Sequence, residues 1–254
     1  MPDVTLPLTG FLVGVLVGLT GMGGGALMTP FLILVLGMRP VVAVGTDLVY
    51  GAVTKIFGAV LHFRQGTVDL GLSLRLASAS VPAGLAAVFL VRWIGDTGAD
   101  ADRIVRQALG VVLIVVASIL LARLFNLIPV DIPDKWRHRL EGRGTYIAGG
   151  IVGALVGFTS VGSGSLLVPF LVCVFPLKAA RIVGTDVFHA AILVTVTALA
   201  HAQGGTVDWG LAMQLLAGSL PGVALGSWVA PRTPARVLRG AVAALLLLTG
   251  FSLV

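Results

Sequence analysis

Long apolar segments separated by short polar turns make up almost the whole of this 254-residue chain. Six of these segments are each close to the ~20 residues that an α-helix needs to cross a bilayer. They lie at about 41–62, 70–92, 103–125, 182–201, 209–230 and 236–254. The pattern predicts an all-α integral membrane protein.

Two more apolar segments, 8–36 and 146–177, are interrupted by small residues. The first break is Gly21-Met22-Gly23-Gly24-Gly25 and the second is Ser160-Val161-Gly162-Ser163-Gly164-Ser165. Glycine inside a helix costs about 1 kcal/mol relative to alanine. Non-helical backbone at membrane depth persists only where protein buries it or a cavity wets it. We therefore interpret the breaks as the walls of a binding site.

The chain repeats itself at an offset of 139 residues without a gap from Gly14 to Pro82. Val-Gly-Thr-Asp ending at Asp47 recurs ending at Asp186, and Gly-Thr-Val-Asp ending at Asp69 recurs ending at Asp208. Identity at so many polar and glycine positions indicates a duplicated unit. We expect repeat 1 at 1–125, a cytoplasmic linker at 126–144 and repeat 2 at 145–254. Many secondary transporters are built in this way, with the site between the repeats.

The distribution of basic residues favours inversion of the second repeat. If each break is the tip of a re-entrant hairpin, one side of the membrane holds four Lys and Arg residues and the other holds twelve, with Lys55 inside a span. If each break instead interrupts a full span, the division is nine against seven. Positive charge collects in cytoplasmic loops. We therefore predict two inverted repeats, each a hairpin plus three spans, with the linker inside and both termini outside.

Segment length agrees with the hairpin, since 11–20 and 26–36 are each about half a bilayer long at 1.5 Å per residue. A broken helix that crosses completely is the competing interpretation.

Composition supports the membrane assignment. The chain is 57% hydrophobic and 11% charged, with a mean hydropathy of +1.05; soluble domains carry about 25% charged residues. The formal charge is +6, and the Lys and Arg residues lie mostly between apolar segments. This placement indicates that they orient the chain in the membrane and do not bind nucleic acid. The single cysteine, Cys173, excludes an intrachain disulfide.

The breaks are the first candidate site. We expect a half-helix to start after each, at Ala26 and at Ser165, with unpaired amides and a positive dipole end that attract an anion. In the inverted arrangement both positive ends converge near the midplane. Close helix packing through small residues is the alternative. The predicted substrate-binding residues here are Gly23, Gly24, Gly25, Ala26, Gly162, Ser163, Gly164 and Ser165.

A second group of candidates lies near the start of two spans. Thr46 and Thr185 are assigned to the substrate, and Asp47 and Asp186 to gating or coupling, because ionisable residues within spans are usually functional. Asp47 or Asp186 could take up a proton and couple it to transport. Helix capping is the alternative for both Thr-Asp pairs. Asp69 and Asp208 are predicted to cap the helices that follow them.

Three further side chains complete the prediction. Tyr50 and His189 share helical faces with Asp47 and Asp186, and we assign them to gating or coupling. Lys55 lies deep in its span and matches Val194 in the repeat. This asymmetry suits a counter-charge for an anion or for Asp47. Snorkelling of Lys55 toward the Arg64 side is the alternative.

The doubled motif carries a resemblance to a known family. The segments Gly18-Leu-Thr-Gly-Met-Gly-Gly-Gly-Ala-Leu-Met-Thr-Pro30 and Gly157-Phe-Thr-Ser-Val-Gly-Ser-Gly-Ser-Leu-Leu-Val-Pro169, each followed by Val-Gly-Thr-Asp, resemble the sulfite exporter TauE/SafE family. The resemblance implies a cytoplasmic-membrane transporter of sulfur-containing anions such as sulfite or sulfoacetate. Ser163 and Ser165 depart from the glycine-only pattern, which puts the substrate in doubt.

We therefore predict a secondary transporter, with an anion channel of the same architecture as the alternative. The sequence shows no nucleophile–base pair and no metal-ligand set, so we predict no enzyme, no cofactor and no metal. The expected partners are a small anion and the lipid bilayer, without nucleic acid. A homodimer is compatible with the sequence.

Overall fold

The computed structural model describes residues 5–20, 24–125, 127, 134–230 and 235–254. Within these ranges the chain is helical and contains no β-strand. The helices are α1 Thr5–Thr20, α2 Gly25–Leu34, α3 Pro40–Arg64, α4 Leu70–Asp96, α5 Ala101–Leu124, α6 Asp134–Arg139, α7 Thr145–Thr159, α8 Leu167–Val174, α9 Ala179–Gln203, α10 Trp209–Val229 and α11 Ala235–Leu253. A π-helical turn, Leu140–Gly144, joins α6 to α7.

Five helices of the described chain are long and apolar enough to cross a membrane, namely α3, α4, α5, α9 and α10. The sixth predicted span coincides with α11, whose apolar part is Gly240–Leu253. Large apolar side chains such as Phe57, Phe89 and Phe251 are exposed on the outer surface, as expected of residues that face lipid. The prediction of an all-α, multi-pass integral membrane protein is confirmed.

The turns before α4 and α10 follow the repeated sequence. The Asp69 side chain accepts a hydrogen bond from the Leu72 amide at 3.0 Å, and Asp208 accepts one from the Leu211 amide at 2.9 Å. Both predicted helix caps are therefore confirmed. Gly66, which precedes the first of these turns, adopts a φ of 65°, a left-handed conformation that suits glycine.

Helices of the two halves cross at glycines. A Cβ atom on Gly153 of α7 would overlap the backbone of Ser80 in α4, and one on Gly14 of α1 would overlap the backbone of Ser219 in α10. Gly157 likewise touches the backbone of Gly84. Small residues at these crossings allow the backbones to approach closely. The Gly-xxx-Gly pairs of α1 and α7, Gly14 with Gly18 and Gly153 with Gly157, therefore serve helix packing.

Contacts fix the relative directions of the helices. α1 is parallel to α10, since Gly10 faces Leu215 and Gly14 faces Ser219. α10 in turn is parallel to α3, where Thr46 contacts Asp208 and Tyr50 contacts Ser219. α1 and α3 therefore point the same way, and α2 leads back from the end of α1 to the start of α3. The corresponding contacts of α7 with α4, and of α4 with α9, make α8 return in the same manner.

Two pairs of helices at matching repeat positions pack against each other in antiparallel fashion. Along the contact between α3 and α9, Gly51 meets Val194 and Gly58 meets Val187, so these two helices are antiparallel. α5 and α11 are antiparallel as well, because Gly110 meets the end of α11 and Gly240 meets Leu124. The two halves thus interlock crosswise, and each α1–α2 or α7–α8 unit packs against the other half.

The arms of the two helix–break–helix units differ in length from the prediction. α1 has 16 residues and α7 has 15, against 10 in α2 and 8 in α8. At 1.5 Å per residue the first arms are about 22–24 Å long and the second about 12–15 Å. The two arms of each unit are therefore unequal, whereas the prediction had two arms of about half a bilayer each.

The starts of the second arms also need correction. α2 begins at Gly25, one residue before the expected Ala26, whereas α8 begins at Leu167 and not at Ser165. The cause is backbone conformation, because Gly162 has a φ of 138° and Gly164 a φ of 80°. Neither value fits a right-handed helix, so Ser163 and Ser165 belong to a turn.

We predict that Gly153→Leu lowers stability strongly, because its side chain would overlap the Ser80 backbone and overpacking costs about 1–3 kcal/mol or more. Gly150→Leu, in the same helix with open space around its Cβ position, is the matched control. Thermal unfolding of the detergent-purified variants measures the difference. Equal unfolding temperatures for the two variants would contradict the crossing described above.

Candidate functional site

Asp47 lies two turns inside α3 and is 1% exposed. One carboxylate oxygen, Oδ2, accepts hydrogen bonds from Thr29 Oγ1 at 2.5 Å and from Ser160 Oγ at 2.7 Å. Thr29 belongs to α2 and Ser160 directly follows α7. Asp47 therefore joins the first break unit to the second break. Since α3 has Arg39 at its N-cap, the capping alternative for Asp47 is wrong.

Asp186 occupies the matching position two turns inside α9 and is 4% exposed. Its Oδ1 atom accepts a hydrogen bond from the amide of Gly164 at 3.2 Å. The N-cap of α9 is Lys178, so Asp186 is not a helix cap either. Instead it supplies an acceptor to a backbone amide that the second break removes from helical geometry, as a buried N–H requires.

The two breaks contact each other. A Cβ atom on Gly25 would overlap the carbonyl oxygen of Ser160, and one on Gly24 would lie 2.7 Å from Cε1 of Tyr50 and 3.7 Å from Oδ1 of Asp47. Only a residue without a side chain fits these approaches. Gly23, the third predicted glycine of this break, lies outside the described residues. The start of α2 and the end of α7 thus share one buried region beside Asp47.

Ser160 has an unusual backbone. Its φ is 61°, the one positive φ at a non-glycine residue in the described chain. The left-handed conformation costs about 1–2 kcal/mol for an L-residue and ends α7 with Ser160 as its C-cap. This conformation places the hydroxyl against Asp47. Strain of this kind persists where surrounding structure holds it, often at functional sites.

The other predicted residues of the breaks are buried. Ala26 is 3% exposed, Ser163 7% and Ser165 3%. The Ser165 hydroxyl has no hydrogen-bond partner within the described residues, so it is available to a bound molecule. Gly162 and Gly164 give the turn its positive φ angles. Their assignment to the substrate stays a prediction.

Thr46 and Thr185 have structural partners. Thr46 Oγ1 accepts a hydrogen bond from the Asp208 amide at 3.0 Å, and Thr185 Oγ1 accepts one from the Asp69 amide at 3.0 Å. Both bonds join a span of one half to the helix start of the other half. The adjacent glycine allows the approach, since a Cβ on Gly45 would overlap the Thr206 backbone. These bonds account for the Thr residues without a substrate, and direct binding stays a prediction.

Tyr50 of the first half and His189 of the second half each pair with a serine of the other half. His189 Nε2 makes a hydrogen bond of 2.8 Å with Ser80 Oγ. The Tyr50 hydroxyl interacts with Ser219, although neither oxygen makes a hydrogen bond of good geometry. Tyr50 and His189 are fully buried, with 1% and 0% exposure. Sequence reasoning missed Ser80 and Ser219, although both lie two residues before the repeated prolines.

Lys55 is half-buried and interacts electrostatically with Asp186 and, more weakly, with Asp47. The charge of Lys55 also interacts with His189. Asp186, and not only the expected Asp47, is thus a partner of Lys55, and its role as a counter-charge stays a prediction. The centre of the described structure therefore contains two buried carboxylates and one ammonium group, all within predicted spans.

The surroundings of the two carboxylates differ. Thr29 corresponds to Val168 in the repeat, Ser160 to Gly21, and Lys55 to Val194. Asp47 is thus surrounded by hydroxyl groups, whereas Asp186 has an amide donor, and Lys55 interacts with both carboxylates. Within the described residues no group of three His, Cys, Asp or Glu side chains could hold a metal ion.

Comparison with known proteins gives a consistent result. The family described as "Sulfite exporter TauE/SafE" matches residues 6–253. A "Probable membrane transporter protein YjnA" of Bacillus subtilis is 43% identical over 99% of this chain and 100% of its own length. A "Probable membrane transporter protein" of Xylella fastidiosa is 28% identical over 88% of this chain and 83% of its own. No solved structure matches.

We predict that Thr46→Val destabilises the protein, because the Asp208 amide loses its acceptor and an unsatisfied buried group costs about 1–3 kcal/mol. Thr185→Val should have a similar effect through Asp69. Thr197→Val is the control, since that hydroxyl bonds only to carbonyls of its own helix. Thermal unfolding is the measurement, and an unfolding temperature of Thr46→Val equal to that of the control would contradict the bridging role.

Proposed function

Because the chain belongs to the TauE/SafE sulfite exporter family, we propose that it is a secondary transporter of small sulfur-containing anions. Sulfite and small organosulfonates are the substrate class. The observation that carries the proposal is the meeting of the two breaks beside buried ionisable groups, where Gly25 touches Ser160 and Ser160 bonds to Asp47. Such breaks surround the substrate in transporters built from repeats.

The anion site is proposed to lie between the breaks, lined by Gly23–Ala26 and Gly162–Ser165. Amides at the start of α2 offer donors and the positive end of a helix dipole. Lys55 supplies the positive charge, and the unpartnered hydroxyl of Ser165 supplies a further donor. An oxyanion accepts several hydrogen bonds at once, which suits this set of donors.

We place the protein in the cytoplasmic membrane, with the 126–144 linker inside and both termini outside. Inverted repeats are supported by the antiparallel contacts of α3 with α9 and of α5 with α11. The excess of basic residues on the linker side supports the orientation. Alternating access then comes from rocking of one half against the other around the fixed site.

We assign gating or coupling to Asp47, Asp186, Tyr50, Lys55 and His189. Asp47 or Asp186 is the group that takes up the coupling cation. A carboxylate that gains and loses a cation during each cycle would tie anion movement to an ion gradient. A proton is the cation that the sequence suggested.

An anion channel of the same architecture is the second candidate, because it would share the breaks and the charge pattern. Uptake into proteoliposomes separates the two, with sulfite, thiosulfate, sulfoacetate and chloride as substrates. A transporter moves its substrate uphill when a second gradient is imposed, whereas a channel only dissipates gradients. Indifference to every sulfur anion would refute the proposed substrate class.

We predict that Gly24→Val and Ser163→Val, at matching places in the two breaks, abolish flux while folded protein remains in the membrane. The valine at position 24 would collide with the Tyr50 ring beside Asp47. Gly150→Val is the control, because its side chain would meet open space. Flux and monodispersity are measured on the same samples, and wild-type flux in folded Gly24→Val would remove the breaks as the site.

A further inference from the structure

We propose that the pocket at Asp47 binds a sodium ion, which travels with the anionic substrate. The first observation is the chemistry of the groups around Asp47. The hydroxyls of Thr29 and Ser160 both bond to Oδ2 of Asp47. The carboxylate and the two hydroxyls thus bring four oxygen atoms together. Oxygen ligands suit hard cations, and sodium in transporters is held beside unwound helices by such groups.

The second observation is an unpartnered atom. Oδ1 of Asp47 makes no hydrogen bond within the described residues, although Asp47 is 1% exposed. It lies beside Gly24, where a Cβ atom would be 3.7 Å away. A buried carboxylate oxygen without a donor is costly. A cation held between Oδ1 and the neighbouring oxygens satisfies it.

The third observation is the end of α7. This helix ends at Thr159, and its C-cap Ser160 contacts Asp47 directly. The C-terminus of a helix carries the negative end of the dipole and free carbonyl oxygens. A cation between that end and the Asp47 carboxylate is attracted by both. Lys55 does not replace the cation, because no ion pair joins it to Asp47 within the described residues and Asp186 also draws on its charge.

Charge balance leads to the same conclusion. Asp47 and Asp186 against Lys55 give one net negative charge when all three are ionised. A monovalent anion in the same region would raise it to two, in surroundings where uncompensated charge is expensive. One sodium ion per anion restores the original charge. This step rests on the proposed function, whereas the ligand geometry at Asp47 does not.

The two halves supply different kinds of groups to the proposed ion sites. The oxygen-rich surroundings belong to Asp47, because Thr29 and Ser160 are replaced by Val168 and Gly21 at the matching positions. Asp186 lacks such hydroxyls within the described residues and accepts a hydrogen bond from the Gly164 amide, and Lys55 interacts with it as well as with Asp47. Sodium therefore binds at Asp47, and the anion binds toward Lys55 and Ser165.

Sodium binding is tested first without transport. Purified protein is unfolded thermally while choline chloride is replaced stepwise by NaCl, with KCl as a selectivity series. We expect a saturable rise in unfolding temperature with sodium. Thr29→Val and Ser160→Gly, which copy the residues at positions 168 and 21, should raise the half-saturating sodium concentration about tenfold or more. Asp47→Asn should abolish the response, and Thr197→Val should leave it unchanged.

Thr29→Val and Ser160→Gly keep the test decisive if Asp47→Asn fails to fold. Each introduces the residue that the other half already carries at the matching position. Glycine also suits the positive φ at position 160. Absence of a sodium response in the wild-type protein would overturn the proposal. A wild-type response in both Thr29→Val and Ser160→Gly would overturn it as well.

Proteoliposomes then separate this proposal from the proposed function. Uphill sulfite uptake driven by a sodium gradient supports both. Uptake driven by a pH gradient without sodium dependence overturns the sodium ion and leaves the transporter standing. Sodium-dependent stabilisation without exchange of any sulfur anion leaves the site standing and refutes the substrate class.

Discussion

Backbone that leaves helical geometry inside a membrane must find partners for its polar groups within the protein. The structure meets this constraint with side chains placed two turns inside neighbouring spans. Asp186 accepts the Gly164 amide, and Asp47 accepts the hydroxyl of Ser160, whose left-handed conformation ends α7. Asp186 therefore satisfies the backbone of the second break directly, and Asp47 holds the side chain of the residue at which α7 ends. A break without them would leave buried groups unsatisfied.

The crosswise packing of the halves follows from the same constraint. A break needs a partner span close by, and close approach needs residues without large side chains. Gly14 and Gly153 let α1 and α7 lie directly on the backbones of α10 and α4. Thr46 and Thr185 then fix the span starts to the caps of the opposite half. Neither half could bury its own break alone, so the duplicated unit is complete only as a pair.

The sequence was sufficient for features that repeat. The lengths of the apolar segments identified the spans, and the repeated Gly-Thr-Val-Asp motif accompanied both Asp caps, since each of these depends on local residues. The sequence was insufficient where residues from non-matching positions of the two halves contact each other. Thr29 and Ser160 converge on Asp47 from two different halves, and neither is matched by its repeat counterpart. The start of α8 was wrong because the φ angles of Gly162 and Gly164 cannot be read from composition. Inversion and the substrate residues stay predictions.

The proposed coupled transport requires two backbones of similar shape that carry different side chains. Rocking of one half against the other demands two backbones of similar shape, and the shared glycines, prolines and caps preserve that similarity. Coupling demands that a cation and an anion bind at different places in the same cavity. Some of the differences between the halves fall at the carboxylates: Thr29 and Ser160 bond to Asp47 and correspond to Val168 and Gly21, and Lys55 corresponds to Val194. Divergence there separates oxygen ligands from nitrogen donors without disturbing the helix crossings. Duplication supplies the mechanical symmetry, and a few side chains supply the electrostatic difference.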